Sequence, residues 1–181
     1  MPPRHAAALA TILLATLASP PVLAAGAHAH GMARLEVAVD GATITLRLQA
    51  PLDSLLGFER APRNDAERGL VRAMAQALRS GGAFVPTPAA RCRLDQVELA
   101  SPVLAPDLLG GVGAAAGTPA DEHAELAGTF VYRCDEARAL LGLDVMLFDT
   151  FKRLNRVEAQ VAGPKGQSAV KLTARARQIR W

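Results

Sequence analysis

Between Ala33 and Leu48 the side chains alternate between apolar and polar, and the pattern breaks only around Asp40-Gly41. Leu35, Val37 and Val39 interleave with Arg34, Glu36 and Ala38, and Ile44, Leu46 and Leu48 resume the alternation after the break. A period of two belongs to a strand with one face in a core and the other in water, and Asp-Gly tolerates the positive φ of a two-residue turn. A turn at Asp40-Gly41 sets Val37 opposite Ile44 and Leu35 opposite Leu46. The hairpin then has one wholly apolar face, which the rest of the chain must cover.

The rest of the chain supplies more strands and one convincing helix. Pro51 to Pro62 reads as a connection. Asn64, with Glu67 three residues on, has the arrangement of a capping box; Val71, Met74 and Leu78 share a helical face, and Gly81 ends the helix. Cys92 to Leu99 reads as a strand with Cys92, Leu94 and Gln96 on one side. Ser101 to Asp121 loses periodicity and fills with Gly, Ala and Pro, the composition of a flexible insertion. Leu126, Phe130, Tyr132 and Cys134 share one parity, and Leu143 to Phe148 reads as an interior strand. Arg156 to Val161 and Gln167 to Thr173 flank Gly163-Pro164-Lys165-Gly166 as a second hairpin with a four-to-five-residue turn. The expected fold is an antiparallel, β-rich α+β single domain over 25–181, with its main helix packed on the sheet.

Met1 to Ala24 has the layout of a secretory signal: Arg4, an apolar run from Ala6 to Ala18, and the small-residue end Val22-Leu23-Ala24. Its apolar run is too short to span a bilayer. With cleavage after Ala24, or as late as Ala27, the expected product is a periplasmic protein with no stable membrane insertion. Export also bears on the two cysteines, Cys92 and Cys134, since an oxidising compartment favours a disulfide. Their use as metal ligands would need further soft donors nearby, and their neighbours Arg91, Arg93 and Arg133 offer none. The formal charge of +3, spread without a basic block, argues against a nucleic-acid partner.

Once His5 leaves with the signal, His28, His30 and His123 are the remaining imidazoles. His28-Ala29-His30 is either a tail that can wrap zinc or copper or an incidental polar pair. Cleavage after Ala25 or Ala27 would make a histidine the third residue, the setting for square-planar copper. His123 and Glu125 project to one side of an extended segment and can converge on a cation, or simply open an exposed strand. Glu59, beside Phe58, calls for a cationic partner such as Arg60 or Arg63. Neither a His-Glu-x-x-His pattern nor a Gly-x-Ser-x-Gly elbow is present, and pairing consumes both thiols, so no enzyme is expected.

Several of these motifs, taken in order, resemble the ZrgA-like family: His28-Ala29-His30-Gly31, Leu35 through Gly41, Ala50-Pro51-Leu52, Gly57-Phe58-Glu59, His123-x-Glu125, Tyr132-x-Cys134, Leu147-Phe148 and Leu172-Thr173. The resemblance covers nearly the whole mature chain. It implies a periplasmic zinc-binding accessory protein that supports a zinc importer; the side chains available as ligands are His28, His30, His123, Glu125 and Glu59. Arg60 stands where the family pattern usually continues with histidine, and the insertion lacks the histidine-rich run of many members. A single small, exchangeable zinc site is therefore expected rather than a high-capacity store.

Overall fold

The computed structural model describes residues 30–111 and 124–181. In chain order the strands are β1 (Met32–Asp40), β2 (Thr43–Pro51), β3 (Phe84–Pro86), β4 (Cys92–Ala100), β5 (Glu125–Cys134), β6 (Gly142–Val145), β7 (Arg156–Gly163), β8 (Gly166–Leu172) and β9 (Gln178–Arg180). The helices are α1 (Leu52–Leu56), α2 (Asp65–Arg79) and α3 (Leu147–Thr150). Six strands form one sheet in the order β4-β5-β2-β1-β7-β8, and β3-β6-β9 form a second. Within the larger sheet every neighbouring pair is antiparallel except β1 and β7, which run parallel. The fold is thus the β-rich α+β domain that the sequence pattern indicates.

The first hairpin forms with its turn one residue later than expected. Asp40 pairs with Thr43, Gly41-Ala42 is the loop, and of the two only Gly41 takes positive φ (55°). Val37 therefore faces Leu46, and Leu35 faces Leu48. Moving a hairpin's centre by one residue shifts each pairing by two, which is the side-chain period, so the apolar set keeps its face. The second hairpin is tighter than expected: Gly163 pairs with Gly166 across Pro164-Lys165.

In β4 the register shifts between Leu94 and Gln96, and this bulge reverses the parity. Val97 and Leu99, not Gln96, continue the inward side begun by Cys92 and Leu94, because one extra residue in a strand rotates all that follow. Cys92 pairs directly with Cys134, and the two form the expected disulfide.

Core-facing residues of both sheets and of α2 make a single cluster. Val71, Met74, Ala75 and Leu78 are the buried residues of α2. Phe84 of β3 meets Phe130 of β5 edge-on at 5.0 Å, and the Tyr132 hydroxyl donates to the Phe84 carbonyl at 2.9 Å. Truncating a ring such as Phe130 to alanine would cost about 3–5 kcal/mol. The run read as one strand over 143–148 divides: β6 ends at Val145, and Leu147 and Phe148 begin α3, both buried.

Only half of the expected capping box forms at α2. The Glu67 N–H donates to Asn64 Oδ1 at 2.9 Å, but the Glu67 carboxylate accepts from the Arg63 N–H (2.7 Å) rather than from Asn64. Residues 101–111, read as the start of the insertion, are packed. Leu104, Leu108 and Leu109 are buried, and Arg79 of α2 donates to the carbonyls of Leu109 and Val97. The remainder of that segment, like the segment expected to be a signal sequence, lies outside the described residues.

Candidate metal site

Four distant stretches of chain meet at one end of the six-stranded sheet. The Gly31 N–H donates to Ser54 Oγ (3.0 Å), which ties the start of β1 to α1, and the Leu52 N–H donates to the Ala124 carbonyl (2.9 Å), which ties α1 to the start of β5. The Gly31 carbonyl accepts from the N–H groups of Asn155 (2.7 Å) and Arg156 (3.1 Å) at the start of β7. Ser54 is fully buried, and its hydroxyl in turn reaches the Met32 carbonyl. At φ 76° Gly31 is in the left-handed region, and a Cβ there would lie 2.5 Å from Asn155 Nδ2 and 3.0 Å from the Arg153 carbonyl. Glycine is what lets the starts of β1 and β7 and helix α1 close around this point.

His30, immediately before this junction, is two-thirds exposed, and its Nδ1 lies 3.2 Å from Asp53 Oδ2 and 3.7 Å from Glu59 Oε1. Asp53 is far less exposed, at 15%. Arg153 holds it: Nη2 donates to both carboxylate oxygens (2.8 and 3.0 Å), and Nε donates to the Asp53 backbone carbonyl (2.9 Å). Chiefly through these hydrogen bonds, and against the effect of burial, the Asp53 carboxyl is kept below its ordinary pKa and remains ionised.

The carboxylate expected to pair with an arginine pairs instead with histidine. Glu59 faces His30, while the Arg60 guanidinium turns to Glu67, donating from Nη1 (2.7 Å) and Nη2 (2.9 Å), and sits 5.0 Å from the centre of the Phe58 ring. A forked carboxylate contact and an aromatic face both satisfy a guanidinium better than one exposed carboxylate would. The Arg60 cation is thereby drawn toward α2.

Of the proposed ligands, His30 and Glu59 are brought together. Glu125 pairs in register with Pro51, so it stands at the same end of the sheet, next to the residues that lead into α1. His28 and His123 lie outside the described residues. Asp53 and Arg153 were not anticipated: Asp53 falls in a segment that reads as loop, and Arg153 is a hundred positions away in sequence. Among the described residues no group of three or more His, Cys, Asp or Glu is arranged to hold a metal ion. The described part of the domain thus supplies one imidazole with its supporting carboxylates, short of the four donors zinc ordinarily takes.

The cysteines belong to the other end. Cys134 donates its N–H to Ala42 in the hairpin loop, and Arg133 pairs with Thr43, whereas the site adjoins Pro51. Eight residue steps along β2, at about 3.4 Å each, separate the two ends by about 27 Å. Together with the disulfide, that distance removes both sulfurs from any role at His30.

A family model described as ZrgA family zinc uptake protein matches residues 27–181, a span that includes His28, His30, Asp53, Glu59, His123 and Glu125. The chain belongs to the ZrgA family. No curated protein matches it. Membership in the ZrgA family links the chain to zinc uptake and makes zinc the cation against which this end of the sheet is to be weighed. Among the described residues no helix is long and apolar enough to cross a membrane.

Proposed function

We propose that the mature chain is a periplasmic, non-catalytic accessory protein that binds one zinc ion exchangeably and passes it to an importer, with His30 as the ligand fixed by the fold. The observation that carries this reading is the exposed His30 imidazole backed by two carboxylates, in a chain of the ZrgA family. His28 is two residues away along the chain, and His123 is next to Ala124, whose carbonyl anchors α1. These imidazoles with Glu125 or Glu59, and water in any vacancy, make up the donor number zinc requires. Arg153, charged and bonded to Asp53, tempers the negative field beside His30. Modest affinity follows, which suits transfer better than storage.

Calorimetric zinc titration of the mature protein and of a His28→Ala/His30→Ala/His123→Ala variant is the test. One zinc per chain is expected for the parent, and little for the variant. Equal binding by both proteins, or none by the parent, refutes the proposal. The intact mass of the periplasmic product should correspond to cleavage between Ala24 and Ala27.

A further inference from the structure

We propose that Asp53, clamped by Arg153, is the positioning residue that fixes the neutral His30 ring in its Nδ1–H form and leaves Nε2 as the one lone-pair nitrogen available to zinc. This deepens the reading of His30 as a zinc ligand and rests on it for its purpose. An ionised carboxylate only accepts hydrogen bonds, so with Asp53 Oδ2 at 3.2 Å the Nδ1 atom must be the donor. Glu59 Oε1 lies 3.7 Å from the same nitrogen, beyond hydrogen-bond reach, and adds a negative charge that favours a proton on that side of the ring.

The clamp gives this contact its direction. Arg153 bonds the side chain and the backbone carbonyl of Asp53 at once, so the carboxylate cannot rotate without losing contacts that fix its own helix. The guanidinium also lies against Gly57, which closes α1 by donating its N–H to the same Asp53 carbonyl. The exposures fit the roles, with the anchor at 15% and the presented ring at 67%. Metal-bound histidines generally donate their other N–H to a carboxylate, which orients the ring and raises its basicity; losing that partner typically costs about 10- to 100-fold in affinity.

The rival role for Asp53 is direct ligation. Zinc would then compete for oxygens that Arg153 already occupies, so loosening the arginine should tighten binding. Positioning predicts the opposite sign. Arg153→Lys separates the two, because lysine keeps the charge but cannot reproduce the fork that grips both oxygens and the carbonyl.

The test uses metal-free mature protein with 15N-labelled histidine, its His30 signals assigned by their loss in His30→Gln. At about pH 8 the 15N spectra of the neutral ring should show Nδ1–H in the parent and a mixture of tautomers in Asp53→Asn. In zinc titrations Asp53→Asn should weaken binding about 10- to 100-fold, and Arg153→Lys should weaken it several-fold, with unfolding temperatures confirming folded protein. If Asp53→Asn does not fold, the parent's tautomer and the sign of the Arg153→Lys effect still decide. An Nε2–H ring in the parent overturns the proposal, as does tighter zinc binding by Arg153→Lys. A fixed Nδ1–H ring in a protein that binds no zinc overturns the zinc function while leaving the positioning contact standing; zinc binding with an unfixed ring overturns the positioning alone.

Discussion

Removing the bridge between Cys92 and Cys134 should destabilise the domain by about 4 kcal/mol. The residues are 42 apart, and closing a loop of that length in the unfolded chain corresponds to about 4 kcal/mol at room temperature in the chain-entropy account. The native state loses little by comparison. The bridged residues are cross-strand partners in β4 and β5, and that pairing continues through Ala100 and Ala127 without help from the sulfurs. The effect therefore resides mainly in the unfolded ensemble, and a second signature follows: the unlinked chain expands further, so the urea m-value should rise. Urea unfolding of the oxidised parent and of Cys92→Ala/Cys134→Ala measures both quantities. Zinc stoichiometry should be the same in the two proteins, because the cysteines occupy the end of the sheet away from His30. A loss below about 1 kcal/mol, or an unchanged m-value, would refute the reasoning.

Tyr132, the one tyrosine in the chain, is pushed up to about 12 by burial, so its phenolate absorbance in the folded protein should titrate near that value. Because the folded pKa is raised, the associated stability is complete below the ordinary value of about 10 and is lost, by about 3 kcal/mol, as pH rises toward 12; Tyr132→Phe should flatten that alkaline limb. Glu67 is displaced the other way, to about 2, first by Arg60 and then by the Arg63 N–H. Its contribution is present above the ordinary glutamate value of about 4.3 and fades as pH falls through about 2, so Glu67→Gln should lower stability at neutral pH and weaken its acid dependence in urea melts. Gly31→Ala should cost about 2–4 kcal/mol in the same assay, from a left-handed backbone and overlap with Asn155 and the Arg153 carbonyl; a loss under about 1 kcal/mol contradicts that geometry.

What local pattern governs was legible in the sequence. The alternation around Gly41, the helical face Val71-Met74-Leu78 and the cysteine pair each follow from periodicity or compartment, and even a turn displaced by one residue left the apolar face intact. The bulge between Leu94 and Gln96 is not encoded in the alternation, since either Gln96 or Val97 satisfies it until the partner strand is known. Residues 101–111 lack periodicity yet pack, because a short turn can bury Leu104, Leu108 and Leu109 against α2 without repeating any pattern. At the site, residue chemistry identified His30 and Glu59 as candidates. Asp53 and Arg153 became visible only in three dimensions: what joins them is the pairing of β1 with β7, and no spacing in the chain encodes it.

That parallel pairing also governs the order in which the molecule can be completed. β1 occupies an interior position in its sheet, with β2 on one side and β7 on the other. A chain emerging N-terminus first can close the early hairpin quickly, but the second edge of β1 stays unpaired until β7 arrives, more than a hundred residues after Asp40. Contacts of such long sequence separation form slowly, and an open strand edge beside a bare apolar face invites pairing with other chains. The fold thus leaves an interior strand edge open until its last large segment arrives, and the longer that interval lasts, the more a nascent chain is exposed to pairing with its neighbours.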